Sequence, residues 1–179
     1  MTATDLKHVS EITLLPFKQF QYQSGDILDF EQRVEEDWKH LKSAFWFAWH
    51  KYASRVSMSY TPLNKLRYTD ERFDVVLAGA ILEHLADPVT AIGAFARLAK
   101  EAVIIAFTPV LLTDELLMRP TTTLTDLANY YTWWVLSRGL YRRIFANVGF
   151  EIEIVRATAY NVDIKAEETR ETIIARRVE

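Results

Sequence analysis

Glu83 and His84 stand side by side, and they carry the acid–base chemistry that this sequence offers. A carboxylate and an imidazole can each take a proton from a reacting group, or bind a substrate donor. Just before them, Gly79-Ala80-Ile81 leaves an apolar run through small residues, which lets a ligand lie close to the backbone. Asp26 follows Gly25 after an alternating aromatic and polar stretch. Its carboxylate is a candidate hydrogen-bond acceptor for a ligand. Trp133 and Trp134 offer flat walls for a substrate pocket. Each residue also has a plainer reading. Glu83 and His84 fix a loop, Asp26 serves a turn or a helix cap, and the tryptophans pack a core. Adjacent side chains face different ways, so one of the two tryptophans at most faces a ligand.

Other chemistries are excluded. The histidines, His8, His40, His50 and His84, have no HxxxH or HxxE spacing, so a metal site is not expected. There is no cysteine and no GxSxG elbow. The 179 residues hold 5 glycines, where average usage of about 7% would give roughly 12. No two are close, so no glycine loop cradles a phosphate. The net charge of −3 gives no basic excess for nucleic acid. No apolar run is long enough to span a membrane, and Asp5 and Lys7 precede any apolar stretch, unlike a signal peptide. The expectation is a soluble cytoplasmic protein of one domain over residues 1–179, with an irregular segment at 1–19.

The elements that must position these residues follow from periodicity. Thr2 to Leu6 is a possible short strand. Phe20 to Ser24 alternates as a strand and exits through Gly25 to Asp29. A helix is predicted from about Glu31 to Tyr52, with Asp29 as N-cap and Val34, Trp38, Leu41, Phe45 and Trp49 on one face. The run Phe45 to Trp49 is wider in aromatics than one face needs, and Trp46 and Phe47 point to a covered surface or a partner. Arg55 to Tyr60 alternates as a strand. Asp74 to Gly79 and Ala102 to Phe107 are continuous apolar runs, as strands covered on both faces need. Between them Asp87 caps a helix with Pro88 at its first position and Val89, Ile92, Phe95, Ala96 and Ala99 inward. This is a right-handed βαβ unit, in which Leu77 and Ile105 should lie buried on parallel neighbours. Thr108 to Leu136 reads as loop, with short helices at Leu111 to Met118 and Leu124 to Tyr130. Ser137 caps a helix with Leu140, Ile144, Phe145 and Val148 inward, and Gly149 ends it. Phe150 to Arg156 and Thr172 to Val178 read as an antiparallel pair at the sheet edge.

The segment Arg72-Phe73-Asp74-Val75-Val76-Leu77-Ala78-Gly79-Ala80-Ile81-Leu82-Glu83-His84-Leu85-Ala86-Asp87-Pro88 resembles the FDVV…LEHL.DP segment of class I S-adenosylmethionine-dependent methyltransferases. Thr132 to Ser137, with Val148-Gly149-Phe150-Glu151, is similar to the TWW.LS…GFE region of one subgroup. The resemblance covers roughly Phe20 to Val178. It implies an α/β, Rossmann-like methyltransferase sheet, mostly parallel, with an antiparallel C-terminal strand. It also implies S-adenosylmethionine as cofactor and methyl transfer to an acceptor that the residues do not name, a small molecule by expectation. Glu83 and His84 then become the catalytic candidates, Asp26, Gly79, Ala80 and Ile81 the cofactor ligands, and Trp133 and Trp134 the substrate wall.

The family's first strand and its glycine-rich turn have no counterpart here, so the fold is shortened at its N-terminal side. Two alignments of the start follow. In the first, Gln21 to Leu28 is the family's second strand and Asp26 its ribose carboxylate. In the second, Thr2 to Leu6 is that strand and Asp5 the carboxylate. The first is favoured because it leaves a helix-sized gap before the strand at Val56. The same departure supports an alternative function: an interaction module or partner subunit on a methyltransferase fold that has lost the cofactor. A lost central strand leaves an open sheet edge, so a homo-oligomer or a partner complex is expected.

Overall fold

The computed structural model describes residues 1–8, 11, 24–66, 68–121, 132–161 and 165–178; for 24–31, 64, 159 and 161 it describes the backbone alone. They form two compact units, Met1–Leu66 and Arg67–Glu179.

The first unit is built on a short parallel pair, β1 (Thr2–Thr4) and β2 (Ser57–Ser59), with Thr2 opposite Ser57 and Thr4 opposite Ser59. Parallel neighbours need a crossover, and α1 (Ser24–Lys51) lies in it. The one-turn helix α2 (Leu63–Leu66) follows. These bounds correct the expected strand at Gln21 to Leu28. Ser24 to Leu28 is helical, and Asp29 lies inside the helix rather than capping it. The reason is legible in hindsight, because Ile27 and Phe30 continue the helical spacing of Val34, Trp38 and Leu41. Asp26, Asp29 and Glu31 also suit the positive end of a helix dipole. Trp46 and Phe47 are both exposed. Trp49 turns the other way and donates from Nε1 to the Val56 carbonyl at 2.8 Å.

The second unit holds β3 (Phe73–Gly79), a 3-10 turn at Leu82–His84, α3 (Pro88–Leu98) and β4 (Ala99–Thr108). The short strands β5 (Val110–Leu111), β6 (Met118–Pro120) and β7 (Trp134–Ser137) come next, then α4 (Arg138–Asn147) and the hairpin β8 (Phe150–Asn161) and β9 (Ala166–Arg177). The main sheet has the order β3-β4-β9-β8. β3 and β4 are parallel, with Leu77 opposite Ile104 and Ala78 opposite Ile105. β9 runs antiparallel between β4 and β8. The last strand is thus antiparallel, as expected, and it is inserted between β4 and β8.

Asp87 caps α3 by accepting from the Thr90 amide at 3.0 Å, with Pro88 at the first helical position. α3 and α4 pack on one face of the sheet. Ile92, Phe95, Val103, Ile105, Phe145, Phe150 and Ile173 form the core between them. Arg177 ties the end of β9 to this layer. Its guanidinium donates to the Ala96, Ala99 and Lys100 carbonyls at 3.0, 2.8 and 2.9 Å and lies over the Phe150 ring.

Three expectations need correction here. Leu77 is 67% exposed, because β3 is the outermost of the four strands described in this sheet and the helices of this unit cover only one face of it. Val89 is exposed, since Pro88 and Ile92 hold the inward face of the first turn of α3 and Val89 lies on the other side. Leu111 to Met118 is not a helix: the chain forms β5 and β6 on either side of a turn, paired with β7. The expected helix at Leu124 to Tyr130 lies outside the described residues.

That turn is seated on the start of α4. The buried Ser137 hydroxyl accepts from the Leu140 amide at 3.1 Å and the Leu117 amide at 3.0 Å, and donates to the Glu115 carbonyl at 2.5 Å. The Gly139 amide donates to the Thr113 carbonyl at 3.0 Å. A Cβ on Gly139 would collide with the backbone carbonyl of Asp114. Gly139→Ala should therefore destabilise the protein by about 1–3 kcal/mol, the usual range for overpacking against atoms that cannot yield. Urea denaturation followed by circular dichroism checks this, and an unchanged midpoint would show that the turn is not seated there.

Candidate functional site

The carboxyl ends of the parallel strands β3 and β4 meet on one side of the sheet, where α/β proteins place ligands. At Gly79 a Cβ would meet nothing within 4 Å, so the backbone there is open. Ala80 turns the chain out of the strand with a φ of 44°, held by its amide donating to the Ala106 carbonyl at 2.8 Å. Ile81 precedes the 3-10 turn, whose first side chain, Leu82, is buried.

Glu83 is buried as well, at 5% exposure. Its carbonyl accepts the Trp133 amide at 2.6 Å. Oε1 lies 3.9 Å from Nη1 of Arg170, and among the described residues Oε2 has no hydrogen-bond partner. His84 is half-buried beside it. Trp134 donates from Nε1 to the Ala86 carbonyl at 3.0 Å, and the two indoles lie 6.2 Å apart at 35°. The backbone of Trp133 and the side chain of Trp134 therefore hold this strand against the Leu82 to Ala86 exit. The structure thus brings Gly79, Ala80, Ile81, Glu83, His84, Trp133 and Trp134 into one neighbourhood.

Four residues here escaped the sequence reading. Thr108 ends β4, fully buried, and its hydroxyl is hydrogen-bonded to the Tyr141 phenol. Arg170 also donates to Glu168 Oε1 at 2.7 Å and to the Phe107 carbonyl at 3.4 Å. Glu171 is 8% exposed and pairs with Arg156 at 3.2 Å. Thr108 stands opposite Glu171 in the sheet register. Arg170 ends the polar stretch between the two predicted strands, and Glu171 directly precedes the second of them. Nothing short of the β9 register shows that they lie against the end of β4.

Asp26 belongs to the first unit. It sits in the first turn of α1, not at a strand exit. The residue that does follow a parallel strand is Asp5, directly after β1. Its amide donates to the Ser59 carbonyl at 3.2 Å, and its Oδ1 accepts the Leu6 amide at 2.8 Å. Asp5 lines a cavity of about 120 Å³ with Trp38, Phe45, Met58 and Tyr60. Lys42 closes one side, its Nζ donating to the Lys7 carbonyl at 2.7 Å and lying 4.9 Å from the Trp38 ring centre.

Residues 39–107 match a methyltransferase-domain family model. The matched span contains β3, its exit, α3 and β4. Among solved structures, YcgJ of Bacillus subtilis superposes with a TM-score of 0.52 at 11% identity, over 77% of this chain and 78% of that one. The N-terminal domain of EvdMO1, solved with S-adenosylhomocysteine bound, gives 0.50 at 19%, over 78% of this chain and 60% of that one. BH2331 of Bacillus halodurans C-125 gives 0.50 at 13%, over 78% and 79%. The chain has the class I methyltransferase fold.

No curated protein matches the sequence. This chain spans about half the length of the magnesium protoporphyrin IX methyltransferase of Synechocystis. Among the described residues, no three His, Asp or Glu side chains group to hold a metal, and no helix is long and apolar enough to cross a membrane.

Burial pushes the Tyr141 phenol up to about 12, the nearby Glu83 charge adds to the rise, and the Thr108 hydrogen bond opposes it. The neutral phenol is therefore favoured in the fold, and its contribution to stability is complete below the unfolded value near 10. That contribution should fall by roughly 2–3 kcal/mol as pH rises from about 10 to 12. Tyr141→Phe should flatten that part of the stability profile. Denaturation of both proteins between pH 9 and 12 checks it, and parallel curves would mean that the phenol is not shielded.

Proposed function

We propose that this chain is a methyltransferase domain that binds S-adenosylmethionine and presents its methyl group to a small-molecule acceptor. The observation that carries the reading is Asp5, a carboxylate directly after a parallel strand, lining an aromatic cavity with Trp38, Phe45 and Tyr60. Of the two alignments of the start, this favours the one with Asp5 as ribose carboxylate. The residues fit the nucleoside end of the cofactor. A carboxylate can take the two ribose hydroxyls, and flat rings suit a purine face. Gly79, Ala80 and Ile81 suit the approach of a ligand, since open space lies over the Gly79 backbone.

When bound, the cofactor supplies an electrophilic methyl carried on a sulfonium. The protein's part is then largely positioning. One of Trp133 and Trp134 walls the acceptor from water. Glu83 and His84 stand to receive a proton where the acceptor carries one of high pKa. A second reading, an interaction module without the cofactor, is supported by β3, which among the described residues pairs with β4 alone.

Titration calorimetry of the 179-residue protein with S-adenosylhomocysteine separates the two. Binding is expected, and Asp5→Asn should weaken it about ten- to hundredfold, the worth of a charge-assisted hydrogen bond. Asp26→Asn should leave it unchanged. Absence of binding would favour the interaction module. Binding indifferent to Asp5→Asn would move the ribose site elsewhere.

A further inference from the structure

The turn after β1 is fastened at three points, and one fastening comes from the wall of the Asp5 cavity. The Asp5 amide donates to the Ser59 carbonyl at 3.2 Å, which fixes the start of the turn on β2. Glu11 Oε2 accepts the Lys7 amide at 2.8 Å. Lys42 Nζ donates to the Lys7 carbonyl at 2.7 Å. Lys42 belongs to α1, four residues after Trp38 and three before Phe45, so the three share one helix face. That face lines the cavity together with Asp5. A lysine is costly in such a place, because a half-buried ammonium gives up water and rotamer freedom. The aromatic rings offset part of that cost, since Nζ lies 4.9 Å from the Trp38 ring centre and 5.5 Å from that of Tyr60. An apolar side chain would pack the same face without the cost. It could not supply a charged donor that reaches the turn.

We infer that Lys42 is a positioning residue for ribose recognition. This deepens the reading of Asp5 as the ribose carboxylate and rests on it. A carboxylate recognises hydroxyls directionally, because a hydrogen bond weakens steeply as its angle closes. Asp5 Oδ1 accepts the Leu6 amide at 2.8 Å, which sets the carboxylate relative to its own backbone. A carboxylate has about four lone-pair sites, so capacity for a diol remains. The backbone is set in turn by what holds Lys7, two residues on. By tying the Lys7 carbonyl to α1, Lys42 fixes Asp5 relative to Trp38 and Phe45 of the same helix. The spacing between the sugar's acceptor and the rings that face the base is then held by one ammonium. A base alone does not need that spacing, whereas a base joined to its ribose does.

The test compares adenosine with 2′,3′-dideoxyadenosine, which lacks both ribose hydroxyls, by NMR titration of the whole chain. The native protein should bind adenosine about ten- to hundredfold more tightly, the worth of a charge-assisted hydrogen bond. Lys42→Met keeps an unbranched apolar stem and removes the donor. It should bring the two affinities to parity and leave dideoxyadenosine binding nearly unchanged. Lys42→Arg, which keeps a charged donor, should restore the preference. Should Lys42→Met fail to fold, Lys42→Gln, too short to reach the Lys7 carbonyl, takes its place. A preference that survives loss of the donor, an equal weakening of both nucleosides, or Lys42→Arg behaving like Lys42→Met would each overturn the inference and leave Asp5 as the ribose carboxylate. A native protein that does not tell the two nucleosides apart would instead remove the reading of Asp5, and the inference with it.

Discussion

The parallel pairing of β3 with β4 is the constraint on which the second unit depends. Two parallel strands cannot be joined by a turn, so the chain must return across one face. α3 does this, and its apolar residues Ile92 and Phe95 supply the first half of the core. Because both strands point the same way, their exits meet. Gly79 and Ala80 leave beside Ala106, and Thr108 ends nearby. The buried Glu83 and the Tyr141 phenol take their places around that junction. The reversed β9 then brings Arg170 and Glu171 back to the same end. A candidate site assembled from β3, β4, β7, α4 and β9 is thus a by-product of one pairing.

Arg177 and Ser137 show how the rest is locked to that junction. Arg177 caps the carbonyl end of α3, where partial negative charge gathers, and ties it to the last strand. Ser137 links the turn before β6 to the start of α4 through one hydroxyl that accepts two amides and donates to a carbonyl. Both are polar groups satisfied where water is scarce, and such groups fix register more sharply than apolar packing does.

Much of the second unit was legible because its signals are local. Asp87-Pro88 marks a helix start whatever surrounds it, and Gly149, with φ of 81°, marks a helix end. The apolar runs at Asp74 to Gly79 and Ala102 to Phe107 gave the strands and their order. They could not give exposure. Whether Leu77 is covered depends on what lies beside β3, not on the strand itself. The strand expected at Gln21 to Leu28 failed for a different reason. Alternating aromatic and polar residues from Phe20 to Ser24 argued for a strand, while Ile27 and Phe30 carried a helical period that was read too late in the chain. Glu83, His84, Gly79 and the tryptophans, singled out from type and spacing, lie near one another in the fold. Tyr141, Thr108 and Arg170 were not, because their meeting depends on strand register across 62 positions of sequence, from Thr108 to Arg170.

The hairpin β8–β9 outruns the sheet that anchors it. β4 pairs with β9 as far as Thr108 opposite Glu171, whereas β8 and β9 stay paired to Asn161 opposite Ala166. Beyond Glu171 the hairpin is a two-stranded arm, and two strands alone are marginal in water. Amide protons of Ala157 to Tyr160 should therefore exchange through local opening, while those of Val103 to Ile105 wait for the whole unit to unfold. Arg170 sits at the hinge between these regimes, so motion of the arm is transmitted directly to the guanidinium that faces Glu83.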